Sequence, residues 1–139
     1  MSVQINLWAV LLGGIVSMVI SALYYSQQAF GGEWMELAKV SKTKYQKQMP
    51  RVMPLIALAA LATSYVVAYV AYLYHYFFRD NWVSAGLSTA LILWLGVAAT
   101  SIFIHNALDQ RRRMLTVITL ANRLLALLGM GLVIGLLHP

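Results

Sequence analysis

LTVITLANRLLALLGMGLVIGLL, residues 115–137, is the stretch on which the fold turns. It carries one charged residue, Arg123, and no proline. As a helix rising 1.5 Å per residue it spans about 35 Å, enough to cross a hydrocarbon core of ~30 Å. Inside lipid every backbone N–H and C=O must be bonded within the segment, which makes such a run helical. Outward from it, three further apolar runs occupy about 7–25, 54–78 and 83–108. They are rich in Leu, Ala and Val without period-2 alternation, so they do not read as barrel strands. The expected fold class is all-α: a polytopic membrane protein, a four-transmembrane-helix bundle forming one domain over 1–139. Residues 26–53 are expected as a basic loop, with Pro54 in the first turn of the second span, where its missing N–H costs nothing.

Composition agrees. Of 139 residues, 61% are hydrophobic and 10% charged, with a mean hydropathy of +0.74. Soluble domains average about 45–50% apolar and about 25% charged. The polar stretches are too short for a large soluble enzyme domain. The chain has no cysteine, which excludes a disulfide framework and Cys-ligated zinc or iron–sulfur sites. Met1 to Asn6 carries no Lys or Arg and no small-residue cleavage site follows, so the first run is expected to stay as a span.

The net charge of +6 is concentrated between the runs. Lys39, Lys42, Lys44, Lys47 and Arg51 lie in the first connection and Arg111, Arg112 and Arg113 in the third, against Arg79 alone in the second. Eight cations against one place the first and third connections in the cytoplasm of a cell whose inner membrane holds the protein, with both termini outside. Membrane lipids, not nucleic acid, are the partner this pattern implies. Trp8, Tyr74, Phe77, Phe78 and Trp82 form the expected outer aromatic rim, and Tyr24, Tyr25 and Trp34 the inner one. Within the first connection, Gly31-Gly32 permits a bend. Trp34, Leu37, Ala38 and Tyr45 suit a short interfacial helix, and Ser41 can cap a second short turn over Lys42 to Gln48. This segment reads either as a basic surface drawn to anionic lipid or as a partner site.

Small residues recur four apart: Gly13, Ser17 and Ser21, then Ala60, Ser64 and Ala68, then Gly131 and Gly135. Such spacing serves close helix packing, within one bundle or between copies in a homo-oligomer. Tyr65, Tyr69, Tyr72 and Tyr76 fall on one stripe, and Tyr65 lies near the midplane, where its hydroxyl needs a partner. A polar layer is the main functional candidate: Ser17, Thr63, Ser64, Thr100, Ser101, Asn122 and Arg123 all lie roughly 9–15 Å in from the basic ends. A charge at that depth costs from ~3 to over 10 kcal/mol, so Arg123 is expected to turn inward toward partners or water. Alternatively it snorkels to the surface or reaches Asp109. The candidate ligand-binding residues are Arg123, Asn122, Ser17, Ser64, Tyr65, Thr100 and Ser101, and the candidate ligand is a small anion.

His75 lies near the outer face, His105 near the inner one and His138 at the C-terminal end, a spread in depth that is not expected to ligate one metal or haem. His105 and Asp109 are one turn apart and can pair. No Ser/His/Asp set, HExxH, P-loop or paired carboxylates appears, and Glu33 and Glu36 are surface residues. No catalysis, metal or cofactor is expected.

Ser21-Ala22-Leu23-Tyr24-Tyr25-Ser26, followed by Phe30-Gly31-Gly32-Glu33-Trp34-Met35, resembles the hallmark of the prokaryotic membrane family named domain of unknown function 1761. Its first helix typically ends G-A-L-W-Y-S-P and continues F-G-x-x-W. Asn6 to Val10, Leu93 to Gly96 and Leu124 to Gly135 are similar to other parts, so the resemblance covers nearly the whole chain. It implies a small four-span protein and brings no catalytic residue with it. The chain departs from the pattern at Gln27, where proline is usual, and at Asn122-Arg123, where an aromatic–histidine pair is common. The function expected is binding or moving a small anionic solute through a cytosol-facing polar pocket. The alternative is an accessory subunit that binds lipid or a partner membrane protein.

Overall fold

A computed structural model describes residues 2–26 and 29–139; Gln27 lies outside the described residues. The chain forms α1 (Leu7–Tyr24), α2 (Gly31–Ala38), α3 (Lys42–Phe78), α4 (Trp82–Leu108) and α5 (Arg113–Leu136). Among the described residues there is no strand. α1, α3, α4 and α5 are each long and apolar enough to cross a membrane, which makes the protein the all-α, four-span bundle expected from its hydropathy. Side-chain caps start three of the helices. The Trp8 amide donates to Asn6, the Lys44 amide to Ser41 and the Ser84 amide to Asn81.

One boundary differs from the sequence reading. Ser41 caps α3 itself, not a separate short turn, and the helix runs unbroken for 37 residues through Pro50 and Pro54. Pro54 is therefore well inside the helix. The carbonyls these prolines leave unpaired belong to Gln46 and Pro50, in an exposed stretch where water can satisfy them. At 1.5 Å per residue α3 is about 55 Å long, so its first three turns, bearing Lys42, Lys44, Lys47 and Arg51, project beyond the apolar part as a stalk.

The four long helices form a ring in the order α1, α3, α4, α5, and α5 touches each of the others as well as α2. Glycine makes this possible where backbones meet. A methyl placed on Gly86 of α4 would stand 2.1 Å from the Gly131 carbonyl oxygen, and one on Gly135 would stand 2.7 Å from the Trp82 oxygen. On α1, a methyl at Gly13 would lie 2.6 Å from Ser64 Oγ of α3. The small-residue stripes thus pack within the bundle, where lipid provides no hydrophobic drive and close van der Waals contact must serve instead.

Packing is uneven along the axis. The core cluster of Ala9, Val10, Val67, Ala68, Ala71, Ala90, Leu127, Met130 and Ile134 lies entirely in the half nearer the chain termini. That end is also tied by polar and aromatic contacts. Asn6 donates to the Leu137 carbonyl (2.8 Å), Tyr72 to that of Ser2 (3.3 Å), and the Trp82 indole lies between the near-parallel rings of His75 (3.7 Å) and His138 (5.1 Å). Toward the basic end the same inward stripe of α3 loses cover. Ala71 and Ser64 are buried, Ala60 and Ala57 half-buried, and Met53 exposed. The loss of cover belongs to α3, since α5 keeps Leu115 and Ile118 buried at the same end.

α4 contains one turn of π-helix, Trp94–Ala99. The extra residue turns everything after it by roughly 100° relative to a regular helix. Trp94, Ala99, Ile102 and Asn106 therefore share the packed side. Asn106 is buried and donates to Thr116 Oγ1 of α5 at 3.0 Å. The Trp94 indole donates to the Leu120 carbonyl of α5, also at 3.0 Å.

Candidate functional site

On α5 the core-facing stripe reads Ile134, Met130, Leu127, each at most 5% exposed. One turn further toward the basic end, at the same angular position, stands Arg123. It faces inward by helical phase, yet it is exposed. Beside it Asn122 is buried against the α1 side of the bundle, and its Oδ1 has no hydrogen-bond partner. The Tyr25 hydroxyl, at the end of α1, has Thr119, Asn122 and Arg123 as its polar neighbours. Tyr24 donates to the Ile118 carbonyl at 2.8 Å, which clamps the end of α1 to α5 at this level.

Aromatic contacts carry the site to α2 and the α3 stalk. Tyr25 packs on Trp34 (5.5 Å between ring centroids), and Trp34 on Tyr45 (6.0 Å). Gly31 opens α2 in a position no other residue fits, since a methyl there would stand 2.1 Å from the Tyr25 carbonyl oxygen. Arg123, Asn122, Thr119 and Tyr25 thus lie near one another where α5 meets the end of α1. Among the described residues Arg123 forms no ion pair, because Asp109 is engaged by His105 (3.2 Å) and Arg111 (3.5 Å). The His105–Asp109 pair is the one-turn contact the spacing predicts; the reach from Arg123 to Asp109 is not made.

The expected polar layer is only partly assembled. Ser17 is buried but spends its hydroxyl on the Gly14 carbonyl of its own helix. Ser64 is fully buried and donates across to the Val10 carbonyl of α1 at 2.8 Å. Thr63 bonds back to Ala59. Three residues stand apart from the others. Tyr65 is 46% exposed on the outer flank of α3, because one residue from the inward Ser64 is a turn of about 100°. Thr100 and Ser101 are exposed, rotated out by the π turn, and the Thr100 hydroxyl donates to the Gly96 and Val97 carbonyls of its own helix. Thr119 and the site role of Tyr25 were missed at the sequence level. The helix-ending Tyr24-Tyr25 pair was the available signal, read only as an aromatic belt.

Fold and site together define a small polytopic membrane protein with a core packed toward its termini and an arginine, Arg123, within its last span that forms no ion pair among the described residues. The chain belongs to the family described as "Protein of unknown function (DUF1761)", which matches residues 8–135. No curated protein and no solved structure matches it.

Proposed function

We propose that the protein is a non-enzymatic integral membrane protein that takes a small anionic ligand at Arg123, toward its basic end. By the distribution of Lys and Arg, that end faces the cytoplasm and both termini face outward. The observation that carries this reading is Arg123. It continues a buried stripe, remains accessible and has no carboxylate of the protein to neutralise it. An unpaired guanidinium so far inside an apolar helix is costly, and an anion from outside offsets that cost with charge-assisted hydrogen bonds.

A second reading, an accessory subunit docked on lipid, is favoured by the stalk of α3 with its exposed Lys44, Lys47 and Arg51 on one face. The two separate by experiment. Protein in neutral-lipid nanodiscs is melted with a panel of small carboxylates and inorganic phosphate. A ligand at ten times its Kd stabilises the folded state by about 1.4 kcal/mol. Under the first reading at least one anion raises the melting temperature of wild type but not of Arg123→Gln. If every anion acts equally on both, or none acts, the anion reading is abandoned.

A further inference from the structure

Resting on the second reading above, we infer that the outer face of α3 seats an anionic phospholipid, its headgroup on Arg51 and Lys47 and an acyl chain along Leu55 and Leu58. Lys44, Lys47, Arg51, Leu55, Leu58 and Ala62 follow one another at steps of three or four residues, which puts them on a single side of the helix. All six are exposed. The side that α2 covers is a different one, since Trp34 packs on Tyr45, about 100° round from Lys44.

The stripe changes chemistry as a bilayer does. Its first three members are cations and the rest are apolar. Arg51 stands four residues from Leu55, about 6 Å by helical rise, which matches a headgroup layer of roughly 5–7 Å on each side of the hydrocarbon core. Lys47 lies one turn farther out, and its flexible stem lets the ammonium reach the same headgroup. Leu55 and Leu58, 67% and 66% exposed, then offer an acyl chain an uncovered apolar track, and the small Ala62 leaves room beyond them.

Charge selects an anionic headgroup. Among the described residues none of Lys44, Lys47 and Arg51 forms an ion pair: Asp109 is engaged by His105 and Arg111, and Glu33 and Glu36 of α2 pair with none of the three. A phosphodiester presents the Arg51 guanidinium with two oxygens in the geometry its planar fork fits. A headgroup without a cation of its own leaves that charge for the stalk to neutralise, whereas choline brings a cation beside the lysines. Two other occupants fit less of the face. A second copy inserted in the same direction and packed through this stripe would set Arg51 against Arg51 and Lys47 against Lys47. A soluble acidic protein would use the cations and leave Leu55 and Leu58 unused.

The chain has no cysteine, so Leu58→Cys can carry a single bimane label. The labelled protein is placed in nanodiscs of phosphatidylcholine and phosphatidylglycerol, with one lipid or the other brominated on its chains. Phe103→Cys on α4 is the reference, 64% exposed and eight residues from Arg111, as Leu58 is seven from Arg51, but without the stripe. Quenching should show a preference for phosphatidylglycerol at Leu58→Cys about fivefold or more above that at Phe103→Cys, the worth of one basic residue beside an anionic lipid surface. Adding Lys44→Gln, Lys47→Gln and Arg51→Gln together should bring it down to the Phe103 value. Should that variant fail to fold, about 1 M salt on the unaltered stalk serves in its place and should have the same effect. Equal preference at the two positions overturns the seat and leaves a general attraction of the basic end for anionic lipid standing. A preference at Leu58 that survives loss of the three cations overturns the headgroup assignment. No preference at either position overturns the seat and the lipid reading together, and polyglutamate binding lost in the triple variant would then assign the stalk to a soluble acidic partner.

Discussion

Substituting Gly86 by alanine adds one methyl group to α4 at its closest approach to α5. Its carbon would lie 2.1 Å from the Gly131 oxygen, against an ordinary contact beginning near 3.4 Å, so the two backbones must separate locally by about 1.3 Å. Neither atom belongs to a flexible side chain, and relief requires moving a helix. That movement also strips contact from Gly135 against Trp82 and from Gly131 against Ala90. Overpacking ordinarily costs ~1–3 kcal/mol, and a backbone-on-backbone clash belongs at or above the upper end. Gly96 on the same helix is the internal control, because a methyl there meets nothing within 4 Å. Thermal and denaturant unfolding in one detergent should show Gly86→Ala destabilised by about 2–3 kcal/mol or more and Gly96→Ala unchanged within about 0.5 kcal/mol. Equal stability of the two variants would refute the claim that glycine-mediated contact holds α4 to α5.

Two other perturbations test separate parts of the structure. Deleting Val97 should be tolerated, since losing one residue returns the π turn to regular helix and leaves the faces above and below it in register. A chain that no longer folds after this deletion would contradict the assigned turn. Asp80 accepts hydrogen bonds from the Ser84 hydroxyl and the Asn81 amide, which hold its carboxyl below the usual carboxylate range. A depressed carboxylate contributes stability above its ordinary pKa and loses it as pH falls through the lowered one. Asp80→Asn should therefore melt below wild type at pH 7 and lose part of the acid dependence below about pH 4. Superimposable pH profiles would count against that contribution.

The spans were legible because length and hydropathy alone determine them, and Arg123 was legible because a lone charge in an apolar run must be accommodated somewhere. Helix phase was less so. Straight counting along α4 turns Thr100 and Ser101 inward and Asn106 outward. The π turn reverses both, and no residue type in Trp94–Ala99 announces it. Pro54 misled in a different way. Proline favours a helix start, but the Ser41 cap lies 13 residues earlier, and an exposed stretch lets water take over the missing backbone bonds. The surroundings of Arg123 could not be read at all, because they depend on how α1 and α3 pack against α5, a property of segments distant in the chain.

Accessibility of position 123 tests the arrangement most directly. The sequence has no cysteine, so single cysteines can be introduced without background. In membranes, Arg123→Cys should react with a charged, membrane-impermeant thiosulfonate, while Met130→Cys, two turns along the same stripe and 2% exposed, should stay unmodified. If Arg123→Cys resists the charged reagent yet reacts with a lipid-soluble maleimide, the side chain faces hydrocarbon and is closed to an anion from water.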